Sequence, residues 1–77
     1  MIIKPLSAEV AVGHATIAAA RVVRLVNTGS TEKVTVANAI PAELTLLANT
    51  SVVIEKEVGA AIGASATVLA TPVAFTN

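Results

Sequence analysis

The stretch ARVVRLVNTGSTEKVTVAN, residues 20–38, contains two valine-rich runs on either side of a segment that favours a chain reversal. β-Branched residues pack well on a pleated sheet, so residues 22–26 and 34–37 are predicted to be strands. Between them, the sequence Asn-Thr-Gly-Ser offers side-chain hydrogen bonds to the backbone and a glycine that tolerates positive φ angles. We therefore predict a β-hairpin with a loop of about five residues.

The first of these runs carries apolar side chains on both of its faces. By the two-residue period of a strand, Val22, Arg24 and Val26 share one face, and Val23 and Leu25 share the other. A strand of this kind is either sandwiched between two layers or covered by another subunit, with Arg24 extending along its aliphatic stem. We expect Val22, Arg24 and Val26 to face a protein partner.

The rest of the chain predicts further short strands separated by turns. We predict an edge strand at residues 2–5. Within residues 7–19 we predict a strand, a turn near Gly13 and then extended chain; because residues 15–21 have the highest helix propensity in the chain, a helix within residues 7–20 is the alternative. Strands are predicted at 42–47 and 51–58 around a turn at 48–51, followed by a close-packed bend at 59–65. Residues 67–75 are predicted to be extended, with Leu69, Val73 and Phe75 on one side, and Thr71 and Pro72 favour an edge position or a bulge. About six to eight short strands with regular turns indicate one domain, residues 1–77, folded as an all-β antiparallel sandwich or barrel.

The composition predicts that this domain is oligomeric. Hydrophobic residues make up 55% of the 77 residues and charged residues 13%, against about 25% charged residues in typical soluble domains. A domain of this size buries only about 60% of its unfolded surface, so many of its apolar side chains need cover from other chains. The chain has no cysteine for a disulfide, which leaves association as the usual means of stabilising so small a fold.

Charge and hydropathy argue against nucleic-acid and membrane partners. The formal net charge is zero and no block of like charge exists, so we expect neither partner. Residues 1–5 lack the features of a signal peptide. Residues 58–77 carry no charge and are long enough for a membrane helix, but they are mostly small and lack a basic anchor, so a membrane tail is the less favoured alternative.

Few side chains are available for catalysis or metal binding. His14 is the only imidazole, and the chain contains no Asp, Cys, Tyr or Trp. Every hydrolytic triad would have to use His14, which more simply is a solvated loop residue, and five scattered Glu residues show no metal-ligand spacing. We expect no catalytic, cofactor or metal site, no small-molecule substrate and no enzymatic activity.

The charged segment Glu-Lys-Glu at residues 55–57 follows a valine-rich run. Most simply it is a solvated strand end or a gatekeeper against edge-to-edge aggregation. A functional alternative is that Glu55 or Glu57 pairs with Arg21 or Arg24 across a subunit boundary. With Val22 and Val26, the residues Arg21, Arg24 and Glu55 are the predicted interface.

Three segments together resemble a known class of proteins. They are VRLVNTG at residues 23–29, VVIEK at 52–56 and ATPVAF at 70–75. The set resembles small virion structural proteins, of the decoration type, from tailed phages of marine bacteria and cyanobacteria, from about residue 17 onward. The resemblance implies a non-enzymatic protein with a compact β fold, present in many copies on a particle.

Composition and resemblance predict the same kind of function. We expect a capsid decoration or cement protein on the phage capsid surface, which forms homo-oligomers, binds a major capsid protein and stabilises the head through protein–protein contacts. A tail or fibre adaptor subunit is the nearest alternative, and a soluble dimeric β binding module is another. The membrane tail and an enzyme centred on His14 rank below these.

Overall fold

The structure, a computed structural model, describes residues 2–65 and 67–76, which form eight strands and one short helix. In chain order these elements are β1 (Ile2–Pro5), β2 (Val10–Ala11), α1 (Ala15–Ala19), β3 (Val22–Asn27), β4 (Glu32–Val36), β5 (Ala42–Leu46), β6 (Ser51–Glu55), β7 (Ile62–Gly63) and β8 (Val68–Thr76). The predicted all-β fold is confirmed, and the strand number lies within the predicted range.

The strands form two antiparallel sheets that share one hydrophobic core. The larger sheet has the order β1-β8-β3-β6, with β2 also beside β8, and the smaller sheet has the order β5-β4-β7. Both sheets and the helix supply buried side chains to the core, which contains Val12, Ile17, Val23, Leu25, Val34, Leu46, Ile62, Val68 and Ala70. The arrangement is a small β-sandwich, in which each sheet covers the apolar face of the other.

The predicted hairpin of residues 20–38 is wrong, because its two strands lie in different sheets. β3 pairs with β6 on one side and with β8 on the other. β4 pairs with β5 and β7. Both edges of β3 are therefore occupied, and the turn sequence carries the chain from one sheet to the other. Each run is nevertheless a strand with the predicted alternation, since Val23 and Leu25 are buried in β3, and Val34 and Val36 in β4.

Asn27, the last residue of β3, fixes the corner between the two sheets. Its side chain is fully buried, and its Nδ2 donates to the carbonyl oxygens of Ser30 at 2.7 Å and Leu46 at 3.0 Å. Its Oδ1 accepts the N–H of Gly29 at 2.9 Å. The amide thus ties the turn after β3 to the end of β5 in the smaller sheet.

The turn between β5 and β6 is anchored at the same corner. The Asn27 N–H donates to the carbonyl of Thr50 at 3.0 Å, and the Asn49 N–H donates to the carbonyl of Asn27 at 2.9 Å. Asn49 has a φ angle of 59°, a left-handed conformation that asparagine adopts more readily than most residues. The predicted turn at residues 48–51 is confirmed, and β6 begins at its last residue.

The extended chain predicted before Arg21 is wrong at α1, which is a single helical turn. His14 serves as its N-cap, because the Nδ1 atom accepts the N–H of Thr16 at 3.2 Å. Ile17 is fully buried in the core, so the alanine-rich turn is held by packing as well as by its helix propensity. The predicted strand and the turn near Gly13 precede it, as β2 and residues 12–14.

The edge position predicted for Pro72 is also wrong, because β8 lies inside the larger sheet. The neighbouring strand is interrupted instead: β1 and β2 both pair with β8, and residues 6–9 connect them opposite Thr71 and Pro72. The Pro72 carbonyl accepts the Leu6 N–H at 2.8 Å. Since the N–H and C=O of a strand residue point to the same side, the donor that Pro72 lacks would face this interruption. Pro5, by contrast, lies in an edge strand as predicted.

The strand predicted at residues 51–58 ends early, at Glu55, and the bend predicted at 59–65 includes the two-residue strand β7. The side chain of Lys56, the next residue, turns inward and is only 3% exposed. Its Nζ donates to the carbonyl oxygens of Ala18 at 2.8 Å and Glu57 at 3.1 Å. The ammonium therefore binds a carbonyl in the last turn of α1.

We predict that Asn27→Asp destabilises the fold by more than about 3 kcal/mol. The change replaces the Nδ2 donor with an oxygen that faces the carbonyls of Ser30 and Leu46, and it buries a negative charge whose one remaining donor is the Gly29 N–H. Urea unfolding measures the loss. Asn49→Asp, the same substitution at an exposed position, is the control and should shift the free energy of unfolding by less than about 0.5 kcal/mol. Equal effects of the two substitutions would contradict the role of the Asn27 amide.

We predict that Gly29→Ala costs about 1–3 kcal/mol of folding free energy. A Cβ at this position would lie 2.8 Å from the Cβ, Cγ2 and Oγ1 atoms of Thr67, so the adjoining loop would have to move. At Gly13 a Cβ would meet nothing within 4 Å, and Gly13→Ala should leave the stability unchanged or raise it by up to about 1 kcal/mol. Thermal unfolding of both variants checks this, and a Gly29→Ala protein as stable as the Gly13→Ala protein would show that the contact is unimportant.

Candidate protein interface

The larger sheet has an outer face, which consists of the side chains that point away from the core. The strand registers place on this face Ile3, Pro5, Ala11, Val22, Arg24, Val26, Ser51, Val53, Glu55, Leu69, Thr71, Val73 and Phe75. Phe75 is 48% exposed and its cross-strand neighbour Ile3 is 39% exposed. Val22, Val26, Val53 and Leu69 are half-buried. Thr71 and Val73 are buried. The rest of the outer face is a mainly apolar surface that remains in contact with solvent.

The corresponding face of the smaller sheet is polar. The registers of β4, β5 and β7 place Lys33, Thr35, Glu43, Thr45 and Gly63 there. Lys33 and Glu43 form an exposed ion pair with an N–O distance of 3.5 Å. One side of the sandwich therefore has the alternation expected of a solvated sheet, whereas the outer face of the larger sheet does not. A contiguous apolar surface on a small domain is typical of a protein-binding site.

Arg24 lies near the centre of the outer face and is half-buried. The register places it directly opposite Val53 of β6 and Thr71 of β8. Among residues 2–65 and 67–76, no carboxylate lies within ion-pair distance of its guanidinium and no hydrogen bond involves its side chain. A guanidinium with five donors at the centre of an apolar surface fits a partner that presents a carboxylate or carbonyl oxygens.

The predicted interface residues are brought together by the fold. Val22, Arg24 and Val26 lie side by side on β3, as the two-residue period predicted. Glu55 lies at one end of the same face, and Arg21, which precedes β3, forms an ion pair with it, with a distance of 3.6 Å between Nε and Oε2. Both side chains are more than 70% exposed, so the pair contributes little to stability. The pairing of Glu55 with an arginine across a subunit boundary stays a prediction.

Glu57 makes two hydrogen bonds within its own chain, and its pairing with an arginine across a subunit boundary stays a prediction. Its Oε1 accepts the N–H of Ala39 at 2.9 Å, and its own N–H donates to Oδ1 of Asn38 at 2.9 Å. These two bonds hold the loop at residues 37–41, where Ile40 is 84% exposed. Glu57 therefore positions a loop of its own chain.

Sequence reasoning missed that Val53, Leu69, Val73 and Phe75 would share one face with Arg24. Each of these residues has the apolar character of a strand residue, and the period within β8 predicted that Leu69, Val73 and Phe75 lie on one side. Their placement beside β3 depends on the strand order, in which β8 lies between β1 and β3. No local signal in the sequence specifies that order.

Two concave regions flank the loop at residues 37–41. One cavity of about 470 Å³ is lined by Thr35, Val36, Ala37, Asn38, Pro41, Ala42 and Glu43. A second cavity, of about 240 Å³, is lined by Arg21, Asn38, Glu55, Lys56 and Glu57. The second is polar and contains the Arg21–Glu55 pair, so its charges already have partners within the chain.

The side chains that could take part in catalysis or metal binding are dispersed over the fold. His14 is exposed and caps α1, where its Nδ1 also lies 3.0 Å from the hydroxyl of Thr16. Within the part of the chain that the structure describes, no three His, Cys, Asp or Glu side chains lie close enough to hold a metal ion. Among the carboxylates, Glu32 accepts hydrogen bonds from Ser65 and Thr67, and these bonds lower its pKa. These bonds fasten the segment before β8 to the first residue of β4.

Burial lowers the pKa of Lys56, because the folded protein removes water from the ammonium without supplying a carboxylate. In the unfolded chain the group titrates near its ordinary value of 10.5. Between the lowered pKa and 10.5 the unfolded state therefore binds more protons than the folded state, so the free energy of unfolding rises with pH across that interval.

We predict that Lys56→Met removes this rise. Unfolding by urea at a series of pH values from neutral towards 10.5 should show wild-type stability increasing relative to Lys56→Met. Lys33→Met removes an exposed lysine and serves as the control for the loss of one positive charge. A constant difference between the wild type and Lys56→Met over the interval would rule out a coupling between burial and protonation at this site.

Among the described residues, no helix is both long and apolar enough to span a bilayer. The segment considered for a membrane tail, residues 58–77, contains β7 and β8, and its residues Ala66 and Asn77 lie outside the described residues. Comparisons of the chain with protein-family models, with curated proteins and with solved structures find no match.

Proposed function

We propose that this chain is a non-enzymatic structural protein that binds a larger protein assembly through the outer face, and that the assembly is a phage capsid. The observation that carries the proposal is the difference between the two sides of the sandwich. The outer face combines Val22, Val26, Val53 and Leu69 around Arg24, whereas the smaller sheet presents an ion pair and threonines to solvent.

Binding through this face would add stability to both partners. A protein that binds only the assembled form of its partner stabilises that form by its binding free energy. The apolar area would supply most of the attraction, since burial contributes about 25 cal/mol per Å². A decoration or cement protein works in this way, by covering the boundaries between capsid subunits. The small size and neutral net charge of the chain are compatible with dense packing on a shell.

Arg24 would provide specificity at the centre of the contact. It has no partner among the described residues, so a capsid carboxylate could bind it without first displacing an internal ion pair. Arginine is enriched among the interface residues whose loss weakens binding most. The acceptor on the major capsid protein would lie opposite the centre of the outer face.

The choice of a capsid as the assembly is supported by the resemblance of residues 23–29, 52–56 and 70–75 to small virion proteins of tailed phages. In the fold these segments overlap β3, β6 and β8, which are adjacent strands of the larger sheet. The segments that carry the resemblance therefore also supply most of the outer face. The virion surface is the proposed location, with copies of this chain bound to the major capsid protein.

We predict that purified particles carry this protein at a multiple of the capsid subunit number. Quantitative mass spectrometry of particles, together with a cryo-EM map, measures copy number and position. A count of tens of copies or fewer, located at the tail, would contradict the decoration function and favour a tail adaptor. A monodisperse soluble protein that does not bind particles would favour a free binding module.

The same particles allow a test of the outer face. Arg24→Glu should weaken binding to stripped particles by a factor of about 10 or more, because it reverses the charge at the centre of the contact. Lys33→Glu makes the same charge reversal on the smaller sheet and should bind like the wild type. Circular dichroism establishes that both variants are folded. Equal binding by the two variants would exclude the outer face as the contact.

A further inference from the structure

The four edges of the two sheets differ in how they are protected against pairing with another chain. β1 carries Lys4 and Pro5, and β7 is only two residues long. β5 follows Pro41 and carries Glu43. Lysine, proline, charge and short length are common protections of an edge strand. β6 has neither lysine nor proline, and its interior residues are Val52, Val53 and Ile54. Its one charge, Glu55, lies at the last residue of the strand, so the possible gatekeeper at residues 55–57 leaves the interior of this edge unprotected.

Among residues 2–65 and 67–76, the only strand that pairs with β6 is β3, so one side of the β6 backbone has no strand beside it. The Lys56 N–H donates to the Arg21 carbonyl at 2.7 Å, and the Asn27 N–H donates to the Thr50 carbonyl at 3.0 Å. These bonds and the register fix the alternation, in which Val52 and Ile54 direct their N–H and C=O groups towards β3. The main-chain groups of the other three residues of β6, Ser51, Val53 and Glu55, then point away from the sheet.

β6 is self-complementary when two copies run antiparallel. A two-fold axis at Val53 pairs Val53 with the same residue of the second copy and aligns all five residues of the strand. Glu55 then lies opposite Ser51, whose hydroxyl can donate to the carboxylate. A register that paired Glu55 with its own copy would instead place like charges directly opposite each other, which is unfavourable.

We propose that two copies of this chain pair through β6 and form one continuous sheet across the dimer. The two-fold axis is perpendicular to the sheet, so both outer faces lie on the same side. The dimer would present the Arg24 residues and their apolar surroundings as one extended surface. This inference does not depend on the proposed function, because it concerns the isolated protein.

Val53→Pro tests the pairing. Proline at this position removes a donor that points away from β3, so the bonds between β3 and β6 are retained. The two hydrogen bonds between Val53 of one copy and Val53 of the other, at the centre of the proposed pairing, are lost. We therefore expect the dimer dissociation constant, measured by sedimentation, to rise by a factor of about 10 to 100. Val53→Thr keeps the N–H and the β-branched shape, so it should dimerise like the wild type. Circular dichroism and thermal unfolding establish that both variants retain the fold.

Disulfide cross-linking between introduced cysteines tests the register directly, and its result does not depend on a substitution that weakens the dimer. The chain has no cysteine, so each introduced thiol is unique. Hydrogen-bonded antiparallel pairs have Cα atoms about 5.5 Å apart, which a disulfide can span. We expect Val53→Cys to form disulfide-linked dimers on mild oxidation, whereas Thr45→Cys, on the polar face of the smaller sheet, should not. Ser51→Cys should cross-link efficiently with Glu55→Cys chains but not with itself.

Each outcome decides the proposal. A dimer lost in Val53→Pro and cross-linked in Val53→Cys supports it. A wild-type protein that is monomeric over the measured concentrations overturns it, as does a Val53→Cys protein that cross-links no faster than Thr45→Cys. A dimer that survives Val53→Pro but is lost in Arg24→Glu would also overturn it, and would assign the contact between copies to the outer face.

Discussion

The fold depends on how the buried side chain of Asn27 is satisfied. A buried amide without partners would strongly disfavour folding, and this one finds three: the carbonyls of Ser30 and Leu46 and the N–H of Gly29. Two of these partners lie in the turn after β3 and the third lies at the end of β5. One residue therefore determines where the chain leaves the larger sheet and how the smaller sheet is joined to it.

This corner gives the sandwich two unlike sides. The core needs an apolar inner face on each sheet, and the smaller sheet meets that need with alternating strands whose outer residues are polar. β3 and β8 are apolar on both faces, so the larger sheet has more apolar surface than the core can cover. Association with another chain would cover such a surface, and the apolar composition of the chain indicates the same need.

The sequence predicted strands far better than it predicted their partners. The alternation in β3 and β4 is local, and both runs are strands with the expected faces buried. The hairpin between them failed because β6 and β8 occupy both edges of β3, a competition that residues 20–38 cannot reveal. The helix was only the alternative to extended chain, because Gly13 and Thr16 argued against a continuous helix; the structure has a single turn that begins after Gly13, with His14, an uncommon capping residue, as its N-cap. Likewise, Val22, Arg24 and Val26 were predicted to share a face, but Leu69 and Phe75 join them only through the strand order.

The position of β8 in the sheet has a consequence for how the protein acquires its structure. β8 is the last strand of the chain, yet β1, β2 and β3 all pair with it, and Ile3 is matched with Phe75 across nearly the whole sequence. During synthesis, β1, β2 and β3 leave the ribosome before β8, the strand with which all three pair, has been made. Folding must then begin late and close long loops, a topology that places small β proteins in the range of about milliseconds to seconds. In that interval the unpaired strands are candidates for chaperone binding.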